Sequence, residues 1–160
     1  MTTLTVLKFQ TADGAGKALD VIKSLGKQHL ITLKDAAIVT WPKGARKPKT
    51  QQLANLAAAG ALDGAFWGML FGLIFFMPFF GMAIGAAMGA LAGKFADYGI
   101  DDDFITEVQS QVTEGTSALF LMTSDVVLDK VADAMKDMDF EIIASNLTEE
   151  QENELREAFA

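Results

Sequence analysis

Cysteine is absent, histidine occurs once and proline three times in the 160 residues. The first absence removes disulfides, thiolate nucleophiles and cysteine-based zinc sites. A single histidine, His29, has no second histidine and no carboxylate motif near it, so neither a metal centre nor a histidine base is expected. At the end of an expected helix it reads as a polar terminal residue, where imidazolium also suits the helix dipole. The remaining scarcity is local: from Gly64 to Gly93 there is no charged side chain, and the flanks hold all the charge.

The formal charge is -8. Phosphate contacts need clustered Lys and Arg, so no nucleic-acid partner is expected. The acid gathers after the apolar block, in Asp101 to Asp103 and in the tail from Glu149 to Glu157; such runs read as solvated helix faces and caps. Met1 to Gln10 lacks a basic region followed by a long apolar run and a small-residue cleavage site, so no secretory signal is expected and the first residues should remain in the cytoplasm.

Periodicity places the elements. Leu4 to Gln10, with Leu4, Val6, Leu7 and Phe9, reads as a mostly buried strand. Thr11 to His29 reads as a helix, with Thr11 and Asp13 as candidate caps and Ala18, Leu19, Val21, Ile22 and Leu25 at helical spacing. Ile31 to Trp41 returns to strand character and Pro42 stops it. A basic linker from Lys43 to Lys49 leads into the apolar block. Beyond the block come a short helix from Asp101 to Val112 capped by one of its aspartates, a strand from Ser117 to Thr123, a helix from Ser124 or Asp125 through Met138, and a strand from Phe140 to Ala144. Thr148 with Gln151 makes a capping-box pattern for a terminal helix ending near Phe159.

Without the apolar block and the short helix the order is strand-helix-strand twice. This predicts an α+β fold, a ferredoxin-like (split βαβ) sandwich with an inserted apolar helical hairpin. Residues 1–50 and 100–160 would form a discontinuous α/β domain, and 51–99 the hairpin. The second and third strands of such a sandwich are antiparallel neighbours, so both legs of the insertion would start from one edge.

The strongest pattern is a spacing of four. Gly60, Gly64, Gly68 and Gly72 precede Pro78, and Gly81, Gly85, Gly89 and Gly93 follow it. Glycine costs a helix interior roughly 0.8 to 1 kcal/mol relative to Ala. Residues four apart share a face, so each series offers a groove in which another backbone packs closely, a glycine zipper. Phe66, Trp67, Met69, Leu70, Phe71, Leu73, Ile74 and Phe75 in the first arm, and Met82, Ile84, Met88 and Leu91 in the second, are left to meet lipid or apolar protein.

A spanning helix takes about 20 apolar residues. The arms, Gly60 to Met77 and Pro78 to Lys94, hold 18 and 17. The turn from Phe75 to Phe80 contains no polar side chain. Two readings fit: a shallow or re-entrant hairpin whose tip stays in the apolar layer, or two short spans. Lys43, Arg46, Lys47 and Lys49 before the first arm, with Lys94 at the base of the second, favour a cytoplasmic side for both flanks and hence the inner membrane. Asp63 is the one ionisable residue inside the first arm. It reads as a snorkelling or capping residue near the base, with an intramembrane polar site as the alternative.

Other chemistry is thin. Asp13-Gly14-Ala15-Gly16-Lys17 opens a helix after a strand, but a phosphate loop needs Ser or Thr after its lysine and here Ala18 follows. Ser24, Ser117 and Ser124 lack nucleophile-elbow glycines. Trp41 and Trp67 read as packing or interfacial anchors. No enzyme activity, cofactor or small-molecule substrate is indicated.

The segments Ala37 to Pro42, Gly64 to Phe76, Gly99 to Phe104, Gly115 to Phe120 and Leu147 to Phe159 together resemble, over nearly the whole chain, a family of uncharacterised bacterial membrane proteins known as a domain of unknown function. The resemblance implies membrane association and carries over no catalytic or binding residue. Three functions are open on these grounds. The first is a membrane-associated structural or assembly protein that self-associates into a homo-oligomer through its glycine zippers. The second is an oligomeric pore or ion-responsive channel involving Asp63, and the third a soluble self-assembling shell with the hairpins buried inside.

Overall fold

Strand β1 (Thr2–Phe9) places Leu4 and Val6 on one face and Leu7 and Phe9 on the other, and all four are buried. A strand with two apolar faces belongs in the middle of a sheet covered on both sides. The computed structural model shows this arrangement; it describes residues 2–28, 33–46, 48–52, 67, 70–71, 74–75, 95–97, 99–124 and 133–151. Strands β2 (Leu33–Thr40), β3 (Lys49–Gln52), β4 (Ser117–Ser124) and β5 (Phe140–Leu147) complete a five-stranded sheet in the order β3-β2-β4-β1-β5. Every neighbouring pair is antiparallel, and the class is α+β.

One face is covered by helix α1 (Gly14–Lys27). Its Ala15, Ala18, Leu19, Ile22 and Leu25 repeat at helical spacing and close over Leu7, Phe9, Ala36, Leu119 and Leu121, joined by Met135. The opening of α1 is held differently from the expectation that Thr11 or Asp13 caps it. Asp13 occupies the cap position but makes no side-chain cap bond. Its carboxylate turns outward to Lys17 at 3.3 Å. The Ala15 amide instead donates to the buried Ser117 hydroxyl at 2.9 Å, and that hydroxyl donates to the Thr11 carbonyl at 2.6 Å. One serine of β4 thus fastens the helix start to the sheet.

The other face carries Leu4, Val6, Ala37, Val39, Ala118, Phe120, Met122, Ile143 and Leu147. Two covers meet it. Helix α2 (Asp102–Gln111) contributes Phe104, Ile105 and Val108, and its cap is the expected kind: the Phe104 amide donates to the Asp101 carboxylate at 2.9 Å. The second cover is a stripe from the uncharged stretch, Trp67, Leu70, Phe71, Ile74 and Phe75.

Several element bounds differ from the sequence expectation, and two of the differences concern the sheet edges. Lys49–Gln52 is a strand, not the end of a linker, and the sheet therefore runs two residues beyond the boundary at 50. Its polar Lys-Thr-Gln-Gln has no apolar alternation because the strand lies at the sheet edge, where pairing with Ala37 to Thr40 holds it. β5 reaches Leu147 rather than Ala144 because its eight residues pair with the whole of β1. The capping box forms as expected: Thr148 N–H donates to Gln151 Oε1 at 2.9 Å and Gln151 N–H to Thr148 Oγ1 at 3.1 Å. Of the expected helix through Met138, residues 125–132 lie outside the described part, as does the terminal helix beyond Gln151; the described remainder is helical only at Asp133 and Ala134 and then turns, with the Met138 amide donating to the Met135 carbonyl at 2.9 Å.

Candidate functional site

Trp67, Leu70, Phe71, Ile74 and Phe75 follow one another at intervals of three, one, three and one, the spacing of a single helix face. All five have helical backbone and all are buried. Their partners are the sheet residues of their own chain and α2. The rings of Trp67 and Phe71 stack at 5.8 Å, and both stand edge-on to Phe120 of β4, at 6.3 and 5.0 Å. Phe71 passes the contact on to Phe75 at 6.2 Å, and Phe75 meets the Trp41 ring edge-on at 6.2 Å and 88°. These are the offset and edge-to-face arrangements that aromatic quadrupoles favour. These five residues of the first arm are therefore seated on the sheet by an aromatic row.

Trp41 ends that row and is itself fixed. Its amide donates to the Thr116 carbonyl at 3.0 Å, its carbonyl accepts from Gly115 N–H at 2.7 Å, and its indole Nε1 donates to the Ala45 carbonyl at 3.0 Å. Gly44, at φ +89°, lets the loop turn back, and its amide donates to the Glu114 carboxylate. Gly115, at φ +86°, closes the facing turn, where Thr116 Oγ1 both accepts from the Thr113 amide and donates to the Thr113 carbonyl. Between the row and this pair of turns lies a cleft of about 330 Å³ lined by Trp41, Ile74, Phe75, Gln109, Val112, Thr113 and Glu114.

Of the basic flank, Lys43 and Arg46 are exposed on the loop beside Trp41, and Lys49 is exposed at the start of β3. Lys47 and Lys94 lie outside the described residues, as do Asp63, His29 and the whole glycine series Gly60, Gly64, Gly68, Gly72, Gly81, Gly85, Gly89 and Gly93. Ser24 accepts from Gln28 Nε2 at 3.0 Å, and Ser117 holds α1 to the sheet. At the opening of α1 the amides of Gly14, Ala15 and Lys17 donate to Thr11, Ser117 and Asp13. The Asp13 carboxyl is held below its ordinary range first by the Thr11 hydroxyl, then by the hydrogen bond and charge of Lys17.

Among the described residues no group of three His, Asp or Glu side chains could hold a metal ion. Among them, too, no helix is long and apolar enough to cross a membrane. Sequence reasoning identified the bulky face of the first arm but not its seat, in which Phe120, Trp41, Phe95 and Ile100 take part. The signal was present in the spacing from Trp67 to Phe75. Nothing in the order of residues pairs that stripe with a strand 45 residues further on.

A family model described as protein of unknown function (DUF1269) matches residues 61–160. The matched segment takes in the seated stripe, α2, β4 and β5. No curated protein and no solved structure matches the chain.

Proposed function

The chain belongs to the DUF1269 family of proteins of unknown function, a membership that brings no activity with it, and we propose that it is a membrane-associated assembly protein. In this reading a ferredoxin-like sheet carries a glycine-zipper hairpin that packs against the hairpins of other copies and dips into lipid at the inner membrane, with the sheet in the cytoplasm. With β3 set aside, the antiparallel order β2-β4-β1-β5 is what two interleaved split βαβ units produce, which supports the ferredoxin-like description.

The observation that carries the proposal is the one-sidedness of the seat. The sheet takes Trp67, Leu70, Phe71, Ile74 and Phe75. At about 100° per residue, a continuous helix would set Gly68 and Gly72 to one side of that stripe and Met69, Leu73 and Phe76 opposite the sheet. That far side is apolar in sequence, and the stretch from Gly64 to Gly93 holds no charge with which to make it water-compatible. Apolar surface of this extent calls for lipid or another protein face. Because the stripe through Phe75 is already held by the sheet, a shallow hairpin is favoured over a pair of spans. Lys43, Arg46 and Lys49, exposed beside the seat, supply the cations that suit an anionic lipid surface.

Alkaline carbonate extraction of native membranes tests the lipid contact. The protein should stay in the pellet; release as a large soluble particle would overturn the membrane assignment and leave the self-assembling shell. Gly85→Leu with Gly89→Leu tests the zipper without touching the seated arm. The oligomer measured in mild detergent should shrink, and an unchanged size would remove the glycine grooves from the assembly.

A further inference from the structure

The two edges of the sheet are built differently. β3 is four residues long, follows the buried Pro48, opens with the exposed Lys49 and is polar throughout. Shortness, lysine and a neighbouring proline are the devices by which sheet edges are kept from pairing with other chains. β5 has none of them. It runs eight residues without a proline, a lysine or a break in register against β1, and its one charge is Glu141, next to its start. Among the described residues β5 pairs with β1 alone. Ile142, on this strand, is 38% exposed and is the one large apolar side chain left exposed among them.

We propose that β5 is an interface strand, pairing antiparallel with β5 of a second copy of this chain to give a continuous ten-stranded sheet across a two-fold axis. A second copy fits because an isologous contact needs only a self-complementary patch, and an antiparallel edge supplies it. A two-fold axis normal to the sheet pairs residues of the same face, so the register is centred on a residue, and Ile143 and Ala144 lie at the middle of the strand. Centred on either, the two Glu141 side chains fall four or six positions apart, roughly 14 to 20 Å along the strand. No like charges then stand opposite one another, and the exposed Ile142 is covered. This contact lies on the sheet edge and is independent of the hairpin reading.

The chain has no cysteine, so a single nitroxide can be placed through Glu141→Cys on the whole 160-residue chain in mild detergent. The expected result is a dipolar coupling corresponding to about 15–25 Å between two copies, from the strand rise and spacing. Adding Ile142→Lys should abolish the coupling while the thermal melt and helix signal hold, because that side chain is already partly exposed. Adding Gly85→Leu should leave the coupling in place. Absence of coupling in that range would overturn the proposal and leave the edge to another segment or partner. Persistence with Ile142→Lys, or loss with Gly85→Leu, would overturn it by assigning the contact elsewhere.

Discussion

Phe71 stands edge-on to Phe120, ring centroids 5.0 Å apart at 80°, and this pair joins the uncharged stretch to the central strand of the sheet. Phe71 is 3% exposed and Phe120 is fully buried, so each ring is part of the core and not a surface ornament. Around them the stripe, α2 and the sheet form one apolar cluster. The stretch that looks in sequence like a separate hairpin is, at its described residues, a structural layer of the α+β unit.

Truncating either ring should therefore unfold the sheet and not merely loosen an appendage. Phe71→Ala and Phe120→Ala should each cost about 3–5 kcal/mol. A double-mutant cycle should return a coupling of about 0.5–1.5 kcal/mol, the value of an edge-to-face pair beyond its area. Denaturant titration of the detergent-solubilised chain, followed at the sheet signal, measures all three. A loss below 1 kcal/mol for Phe71→Ala would mean that the arm is not seated on the sheet in solution.

Two glycines of α1, two residues apart, should respond in opposite directions. A Cβ on Gly14 would stand 2.6 Å from Phe9 Cβ and 2.9 Å from Phe9 Cγ. Phe9 cannot step aside easily, being 2% exposed with Phe140 tilted against it at 6.1 Å. Gly14→Ala should destabilise by about 1–3 kcal/mol, the range for overpacking. At Gly16 nothing lies within 4 Å of the added carbon. Gly16→Ala should stabilise the helix by roughly 0.5–1 kcal/mol through lost unfolded-state freedom. Thermal melts of the two variants, read side by side, check the pair.

The contrast between legible and illegible features follows the range of the forces involved. α2 with its Asp101 cap, the Thr148 and Gln151 capping box, and the strands at Leu4 and Ser117 were all readable because caps and periodicity act over a few residues. β3 was not, since a polar edge strand is held by its partner β2 and not by its own composition. Ser117 as the clamp of α1 was equally hidden: its partners Ala15 and Thr11 stand 102 and 106 residues away. The seat of the first arm lies between these cases. Its helical face could be read from Trp67 to Phe75, but whether that face met lipid, a second copy or its own sheet depended on Phe120, which sequence spacing does not connect to it.

The acid limb of the stability curve has a local contributor at Asp13. Its folded pKa lies below the ordinary carboxyl value, with the Thr11 hydroxyl as the leading cause and Lys17 next. A depressed folded pKa means that the stabilising contribution is fully present above the unfolded pKa, about 3.9 for Asp, and is lost as pH falls through the folded value. Asp13→Asn should therefore flatten the stability profile in that acid window and leave its shape unchanged near neutrality. The Asp13–Lys17 pair is largely exposed, at 69% and 70%, so salt should diminish the part owed to Lys17. The hydrogen bond from Thr11 should survive salt better. Carboxyl titration by NMR checks both: Thr11→Val and Lys17→Ala should each raise the Asp13 pKa, and a pKa left unmoved by Thr11→Val would remove the threonine hydroxyl as the leading cause.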